Sequence, residues 1–320
     1  MSTFATTVAT SIESYLAMQR SLGYQFRKQA ASLQAFLRYV RSTDTGGPLS
    51  QALVLEFIMA GNVTPNGRAV RYAVIRRFAQ YHAAFDPLTE TLDRRALPRS
   101  RAVPPPRILS DEELRALMGA SARISVERPF RGRTLSTLIG LLTSTGLRSG
   151  EALRLDRCDV DLIRGVLEIR KTKFRKDRLV PVHATTLSAL QDYARHRDLA
   201  FPAPKTPAFF ISTRGTRLST TGLYYGFEQA CALAEVNQRA AKAIRPHDLR
   251  HRFAVTRLAE WHRQKIDAQS MLPLLATYLG HVRYSDTAYY ITACSWLRRS
   301  AGIWREAQVD ADPRGQCSYR

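Results

Sequence analysis

The chain has 320 residues, 45% hydrophobic and 23% charged, with 48 Lys and Arg against 27 Asp and Glu and so a formal net charge of +21. That length and composition predict two folded domains and exclude disorder over most of the chain. The basic excess, spread through both halves, implies a polyanionic partner, of which nucleic acid is the commonest. No apolar run approaches the roughly 18 residues that span a bilayer, and the first residues lack the basic-then-apolar pattern of a secretory leader, so a cytoplasmic protein is expected. Cys158, Cys231, Cys294 and Cys317 are far apart and form no metal-ligand spacing, which predicts reduced packing residues.

From Ser11 to about Leu22 the apolar residues Ile12, Tyr15, Leu16 and Leu22 fit a helix stopped near Gly23. Leu33, Phe36, Leu37 and Val40 mark a second helix, ended by Gly46-Gly47-Pro48. Ser50 caps a third with Leu53, Phe57 and Ile58, and a fourth runs from about Asn66 through Val70, Val74, Phe78 and Tyr81. Residues 1–97 therefore read as a small helical bundle. Its fourth helix carries Arg68, Arg71, Arg76 and Arg77, and residues 1–106 hold 13 basic against 6 acidic side chains, a net +7. Arginines on a helix often only solvate a surface, but this surplus favours a face that grips a phosphate backbone. Residues 98–106, Pro-Arg-Ser-Arg-Ala-Val-Pro-Pro-Pro, read as a stiff, basic linker.

Ser110-Asp111-Glu112-Glu113 ahead of Leu114 and Leu117 is a capping box and opens a second domain, residues 107–304. The apolar run over residues 135–142 predicts a buried helix ending at Thr145-Gly146. Val166-Leu167-Glu168-Ile169 and Leu179-Val180-Pro181-Val182 read as a hairpin whose basic connection places lysines at the tip. Helices follow over about residues 185–196 and 220–233, with a strand-like Phe209-Phe210-Ile211 and a turn at Arg214-Gly215 between them. Leu274, Leu275, Tyr278 and Leu279 form a short helical face ending at Gly280-His281. Ser285 or Asp286 caps the next helix, which carries Tyr289 and Tyr290, and residues 305–320 are a polar tail.

The densest cluster of reactive side chains is Arg245-Pro246-His247-Asp248-Leu249-Arg250-His251-Arg252. Pro246 stands where it sets a helix start, and His247 and Arg250, three apart, share a face. Unpaired N–H groups and the positive end of the helix dipole there favour an anion such as a phosphate or carboxylate. Two other readings fit the octapeptide alone. One is a solvated charged face. The other is a zinc site on His247 and His251, four apart, with Asp248 where a glutamate base would sit; Arg250 and Arg252 would repel the metal.

More distant segments bear on the choice. Thr145-Gly146-Leu147-Arg148 with Glu151 three residues on, the lysine hairpin closing in Arg178-Leu179-Val180-Pro181, His247-x-x-Arg250-His251, and Leu279-Gly280-His281 with Tyr290 nine residues beyond form a set. In this order and at these separations they resemble the tyrosine recombinase (integrase) family over residues 145–290. The resemblance implies a mainly α fold with a small β-hairpin or sheet. A helical core-binding bundle and an α+β catalytic domain would enclose duplex DNA as a C-shaped clamp. It implies a site-specific recombinase that cuts and rejoins strands through a covalent 3′-phosphotyrosine, with no metal, nucleotide or other cofactor. The partners it implies are double-stranded DNA and three further copies of the chain, for the benefit of a mobile element.

The residue types suit that chemistry. Attack of a phenol on a phosphodiester builds charge on two non-bridging oxygens, and Arg148 and Arg250 would clamp them, each with a permanently charged, planar fork of donors. The family places the lysine that protonates the leaving 5′-oxygen at Lys173, with Lys171 and Lys176 as neighbouring rivals; Lys171, Arg175 and Lys176 otherwise suit backbone contacts. His247 suits acid–base work, His281 a hydrogen bond to the phosphate, and Glu151 an orienting role. Adjacent helix positions point about 100° apart, so Tyr289 and Tyr290 cannot both enter one site, and the resemblance to the family's nine-residue spacing from the histidine implies Tyr290 as nucleophile. Two departures stand out: Arg252 where the family has a small hydroxyl residue, and Phe174-Arg175 in place of a glycine-containing turn. A type IB topoisomerase-like nicking and rejoining enzyme, or a catalytically silent DNA-binding protein of the same fold, are the alternatives.

Overall fold

The computed structural model describes residues 3–43, 46–97, 106–125, 127–170, 177–237, 242–281, 286, 287 and 290. Two compact units divide the chain, Met1–Pro104 and Pro105–Arg320. The first holds helices α1 (Thr3–Ser21), α2 (Arg27–Thr43), α3 (Gln51–Ala60) and α4 (Pro65–His82). Local signals fix their starts. Ser50 Oγ accepts the Leu53 N–H at 3.2 Å ahead of α3, and Thr64 Oγ1 accepts the Gly67 N–H at 3.2 Å ahead of α4, whose first turn holds Pro65. Val8, Ile12, Leu33, Phe36, Val40, Val54, Ile58, Ile75 and Phe78 meet in one buried cluster. Burying a phenylalanine such as Phe78 stabilises the unit by about 2–3 kcal/mol.

Two expectations for this unit need correction. The first helix begins at Thr3, because Ala5 and Val8 extend its buried face, and Leu22 lies past its end, exposed. Val70 is exposed as well. Steps of four residues drift about 40° round a helix, so Val74 and Phe78 share the buried face while Val70 falls off its edge. The same geometry spreads the four arginines of α4: Arg77 is exposed, whereas Arg68, Arg71 and Arg76 are half-buried and form no single stripe.

The second unit contains α5 (Asp111–Ala122), α6 (Pro129–Thr145), α7 (Ser149–Arg154), strands β1 (Val160–Asp161), β2 (Val166–Ile169) and β3 (Arg178–Pro181), then α8 (Ala184–Ala200), α9 (Thr220–Leu233), α10 (Pro246–Arg263) and α11 (Ala268–Leu279). The fold is thus mainly helical with one small antiparallel sheet of order β1-β2-β3. Ser110 and Glu113 form the capping box of α5, with bonds of 3.1 and 2.9 Å. Helix α6 packs against α5, α8 and α10 and buries Leu135, Leu138, Ile139, Leu141 and Leu142. Strand register pairs Leu167 with Val180 and Ile169 with Arg178, which turns Leu167, Ile169 and Val180 into the core. The two-residue β1 is too short to leave a periodic signal.

Phe209, Phe210 and Ile211 are buried but form no strand. The Phe209 N–H donates to Leu155 O at 2.8 Å and the Ile211 N–H to the Tyr193 hydroxyl at 3.2 Å, and the chain reverses at Gly215 (φ 71°) with only single-residue bridges. Leu274 is exposed, since α11 buries Leu272, Leu275 and Leu279 on the opposite side. Cys231 is a buried packing residue as expected, its thiol pushed up to about 11 by burial, whereas Cys158 is exposed. Cys294, Cys317 and the capping residue Ser285 lie outside the described residues. No described helix is long and apolar enough to cross a membrane.

Candidate active site

Three chain ends converge in the second unit, each set by a backbone device. Helix α6 stops at Gly146, whose φ of 63° lets the chain turn so that Leu147 enters the core and Arg148 takes the N-cap position of α7. A side chain at Gly146 would strike the Phe253 ring, 2.5 Å from an added Cβ. Helix α10 starts with Pro246 in its first turn, and Asp248, fully buried, accepts the Arg245 N–H at 2.8 Å. Helix α11 ends at Gly280, φ 69°, and delivers His281 immediately beyond it.

These ends bring Arg148, His247, Arg250, His251, His281, Asp286 and Tyr290 around one open cleft of about 380 Å³. Arg250 is 1% exposed, which overturns the solvated-face reading of the octapeptide. Its Nη1 donates to Gly146 O at 2.7 Å and its Nη2 to Leu279 O at 2.9 Å. Both partners are neutral carbonyls, so the positive charge remains. Arg148 donates through Nη2 to Gly280 O at 3.1 Å and through Nη1 to Glu151 Oε1 at 2.8 Å. Glu151 is buried and also accepts from Arg178, at 2.8 and 3.3 Å.

The histidines surround the tyrosine ring. His251 lies 5.5 Å and His281 6.1 Å from Tyr290 between ring centroids, the latter nearly parallel at 20°, and His247 meets His251 edge-on at 4.9 Å. The buried Thr287 hydroxyl contacts His281 Nδ1 at 2.7 Å. Burial, then the neighbouring Arg250 and Arg148, hold His281 at about 3. Burial, then His247, hold His251 at about 4. His247 keeps an exposed edge, yet the protein packed behind its ring, followed by Arg250, lowers it too. Arg250 itself is pulled to about 10, first by burial and then by Arg148. Two guanidiniums against neutral imidazoles make a cleft that favours an anion with several acceptor oxygens.

Of the residues singled out from sequence, Arg148, Glu151, His247, Arg250, His281 and Tyr290 come together. Lys171, Lys173, Arg175 and Lys176, together with Tyr289, lie outside the described residues. Among the described residues no group of three or more His, Cys, Asp or Glu is arranged to hold a metal ion. Sequence reasoning gave His251 only the zinc-ligand reading and gave no role to Arg178 or Thr287; His251 and Arg178 were signalled by standing inside the quoted motifs. The unusual Arg252 has a structural explanation: it is buried, donates from Nε to Leu109 O at 3.2 Å and pairs with Asp111, tying α10 to the start of α5.

Comparison with known proteins gives the same picture. An integrase/recombinase named y4rE, from Sinorhizobium fredii (strain NBRC 101917 / NGR234), is 57% identical over 292 residues, covering 91% of this chain and 94% of the relative. The tyrosine recombinase XerC of Chlamydia caviae (strain ATCC VR-813 / DSM 19441 / 03DC25 / GPIC) is 29% identical over 233 residues, 72% of this chain and 68% of its own. Among solved structures, the XerH site-specific recombinase bound to a palindromic difH substrate in a post-cleavage complex shares the fold, with a TM-score of 0.64 at 23% identity over 88% of this chain and 80% of that one. Residues 107–294 match the phage integrase family. That match spans more than half of the sequence, and the chain belongs to the phage integrase family and is a tyrosine recombinase.

Proposed function

We propose that the protein cuts and rejoins DNA at specific sites through a 3′-phosphotyrosine on Tyr290, without metal or nucleotide, on behalf of a mobile element. The observation that carries this reading is the cleft itself: a buried Arg250 and a half-exposed Arg148 present charge and spare N–H donors beside Tyr290. In the proposed step the Tyr290 oxygen attacks the phosphorus, the new O–P bond forms, and the bond from phosphorus to the 5′-oxygen breaks. Arg148 and Arg250 meet the charge that grows on the two non-bridging oxygens. His281 donates to one of those oxygens, His247 moves the phenol proton, and Lys173, by resemblance alone, protonates the departing 5′-oxygen. His251 buttresses the Tyr290 ring. The phosphotyrosine keeps the energy of the broken bond, so the reverse attack reseals a strand with no outside energy source.

Contacts to the DNA backbone are assigned in the first unit to Arg68, Arg71, Arg76 and Arg77, of which Arg77 is the best exposed, and separately in the second unit to Lys171, Arg175 and Lys176. Exchange between two duplexes needs four cuts and each chain supplies one Tyr290, so four copies assemble on the DNA. The high identity to a protein named integrase/recombinase supports the mobile-element role. The test is adduct formation on a nicked duplex that cannot be resealed, in excess chelator. Wild type is expected to give a denaturant-resistant, protease-sensitive protein–DNA band, and Tyr290→Phe none while still binding DNA. A band that persists in Tyr290→Phe sinks the assignment, and one that needs an added metal sinks the cofactor-free mechanism.

A further inference from the structure

Glu151 is shared by two arginines, and the division is unequal. Arg178, the first residue of β3, grips it with two donors, Nη2 to Oε2 at 2.8 Å and Nη1 to Oε1 at 3.3 Å, and its side chain is 12% exposed. Arg148 offers one side-chain donor at 2.8 Å, backed by its own N–H at 3.2 Å, and its side chain is 34% exposed toward the cleft. Burial raises the Glu151 carboxyl, but Arg178 and then Arg148 outweigh it and hold it below its ordinary range, so the carboxylate is charged. One negative charge thus faces two positive ones. Beside a buried carboxylate the net charge decides what Arg148 can offer a substrate.

Arg178 is also pinned from its other side. Its Nε donates to Tyr278 O at 2.9 Å, and the Tyr278 hydroxyl returns to Pro181 O on the same strand at 3.2 Å. Gly280 leaves room for the guanidinium, since an added Cβ would lie 2.7 Å from Arg178 Nη1. The arginine is therefore built into the floor of the site, and its hydrogen bonds among the described residues go to Glu151 and to Tyr278 O at the end of α11.

We infer that Arg178 is a positioning residue that neutralises Glu151, so that Glu151 can orient Arg148 by hydrogen bonds while the positive charge of Arg148 stays available for the scissile phosphate. The inference rests on the phosphate-binding reading of the cleft given above. Removal of the charge at position 178 leaves Glu151 as the full counter-ion of Arg148. The pair then becomes neutral and the phosphate loses one of its two clamps. Neutralising Glu151 in addition returns the charge to Arg148, which a merely structural role for Arg178 would not do.

The experiment measures the rate of adduct formation on the nicked duplex, with DNA affinity and thermal unfolding alongside, for wild type, Arg178→Met, Arg178→Lys, Glu151→Gln and Arg178→Met/Glu151→Gln. Arg178→Met keeps the length of the side chain beside Gly280 and is expected to slow adduct formation by at least ~10-fold, since a full oxyanion donor is typically worth on the order of 100-fold or more. DNA affinity should stay within ~3-fold, one phosphate being a small share of the contacts. Arg178→Lys keeps the charge and should remain near wild type. The double variant should recover most of the rate lost in Arg178→Met. A double variant no faster than Arg178→Met, or Arg178→Lys as slow as Arg178→Met, overturns the inference and leaves Arg178 a packing residue. If Arg178→Met does not fold, the Arg178→Lys rate alone decides, a large loss overturning the proposal. A wild-type protein that forms no adduct overturns the reading of the cleft, and the inference with it.

Discussion

Arg250→Met should separate catalysis from stability. Burial and Arg148 pull the guanidinium well below its ordinary value, to about 10. At 1.36 kcal/mol per tenfold, that corresponds to roughly 3 kcal/mol of unfavourable free energy stored in the folded state. Against it stand two hydrogen bonds, to Gly146 O and Leu279 O, whose loss leaves two carbonyls short of a donor at about 1–3 kcal/mol each. The contributions nearly offset, so the melting temperature of Arg250→Met should lie within a few degrees of wild type. The catalytic loss has no such offset: the three N–H groups of Arg250 not committed to carbonyls are removed from the transition state, at about 3–4 kcal/mol or a rate factor on the order of 10²–10³. Single-turnover adduct formation on the nicked duplex, at saturating protein, reads the rate; thermal unfolding reads the stability. A fall of ten degrees or more with adduct loss that merely tracks the unfolded fraction would refute the reasoning and make Arg250 a structural cation.

Other outcomes follow from charge and from the buried imidazoles. DNA affinity should fall steeply with salt, with a log–log slope on the order of −5 or steeper, because a chain of net charge +21 displaces many counterions; a flat titration would show that charge does not drive binding. Stability should fall on acidification from about pH 6.5 toward 4, because His281 and His251 titrate near 3 and 4 when folded but near 6.5 when unfolded, so the unfolded chain binds protons first. The loss should be smaller in His251→Asn/His281→Asn, and an equal loss in that variant and wild type, read by melting temperature against pH, would count against the shifts. Bound DNA should reduce the acid loss in wild type, since a phosphate favours the charged imidazole.

Much of the site was legible because its positions are fixed by local backbone chemistry. Gly146 and Gly280 close helices in the left-handed region, Pro246 opens one, and the candidate site residues Arg148, His247, Arg250 and His281 stand within a few residues of these devices. Helices were legible where the apolar period was long, as over Thr220–Leu233. The failures share a cause. Val70 and Leu274 are apolar residues whose exposure depends on the neighbouring elements, and Phe209-Phe210-Ile211 is an apolar run with no period to distinguish a strand from a buried turn. Arg252 reads as an anomaly until Asp111, 141 residues away, is seen beside it. The role of Arg178 likewise depends on Glu151, 27 residues earlier, and on a carbonyl 100 residues later. Backbone acceptors carry no residue identity, so no motif can announce them.

Those acceptors offset part of the cost of gathering so much positive charge in one cleft. Three successive carbonyls at the end of α11 each receive a different arginine: Tyr278 O from Arg178, Leu279 O from Arg250 and Gly280 O from Arg148. The last carbonyls of a helix have no partner within it and lie at the negative end of its dipole. They therefore hold guanidiniums by partial charge, strongly enough to fix each fork and too weakly to neutralise it. A carboxylate in the same place would neutralise the arginines it fixed, as Glu151 would neutralise Arg148 without Arg178. The left-handed Gly280 makes this arrangement possible, because it ends the helix with these carbonyls open to the arginines and leaves space for Arg178 where a side chain would stand. His281 follows directly, so the device that orients the arginines also sets the position of the imidazole stacked on Tyr290.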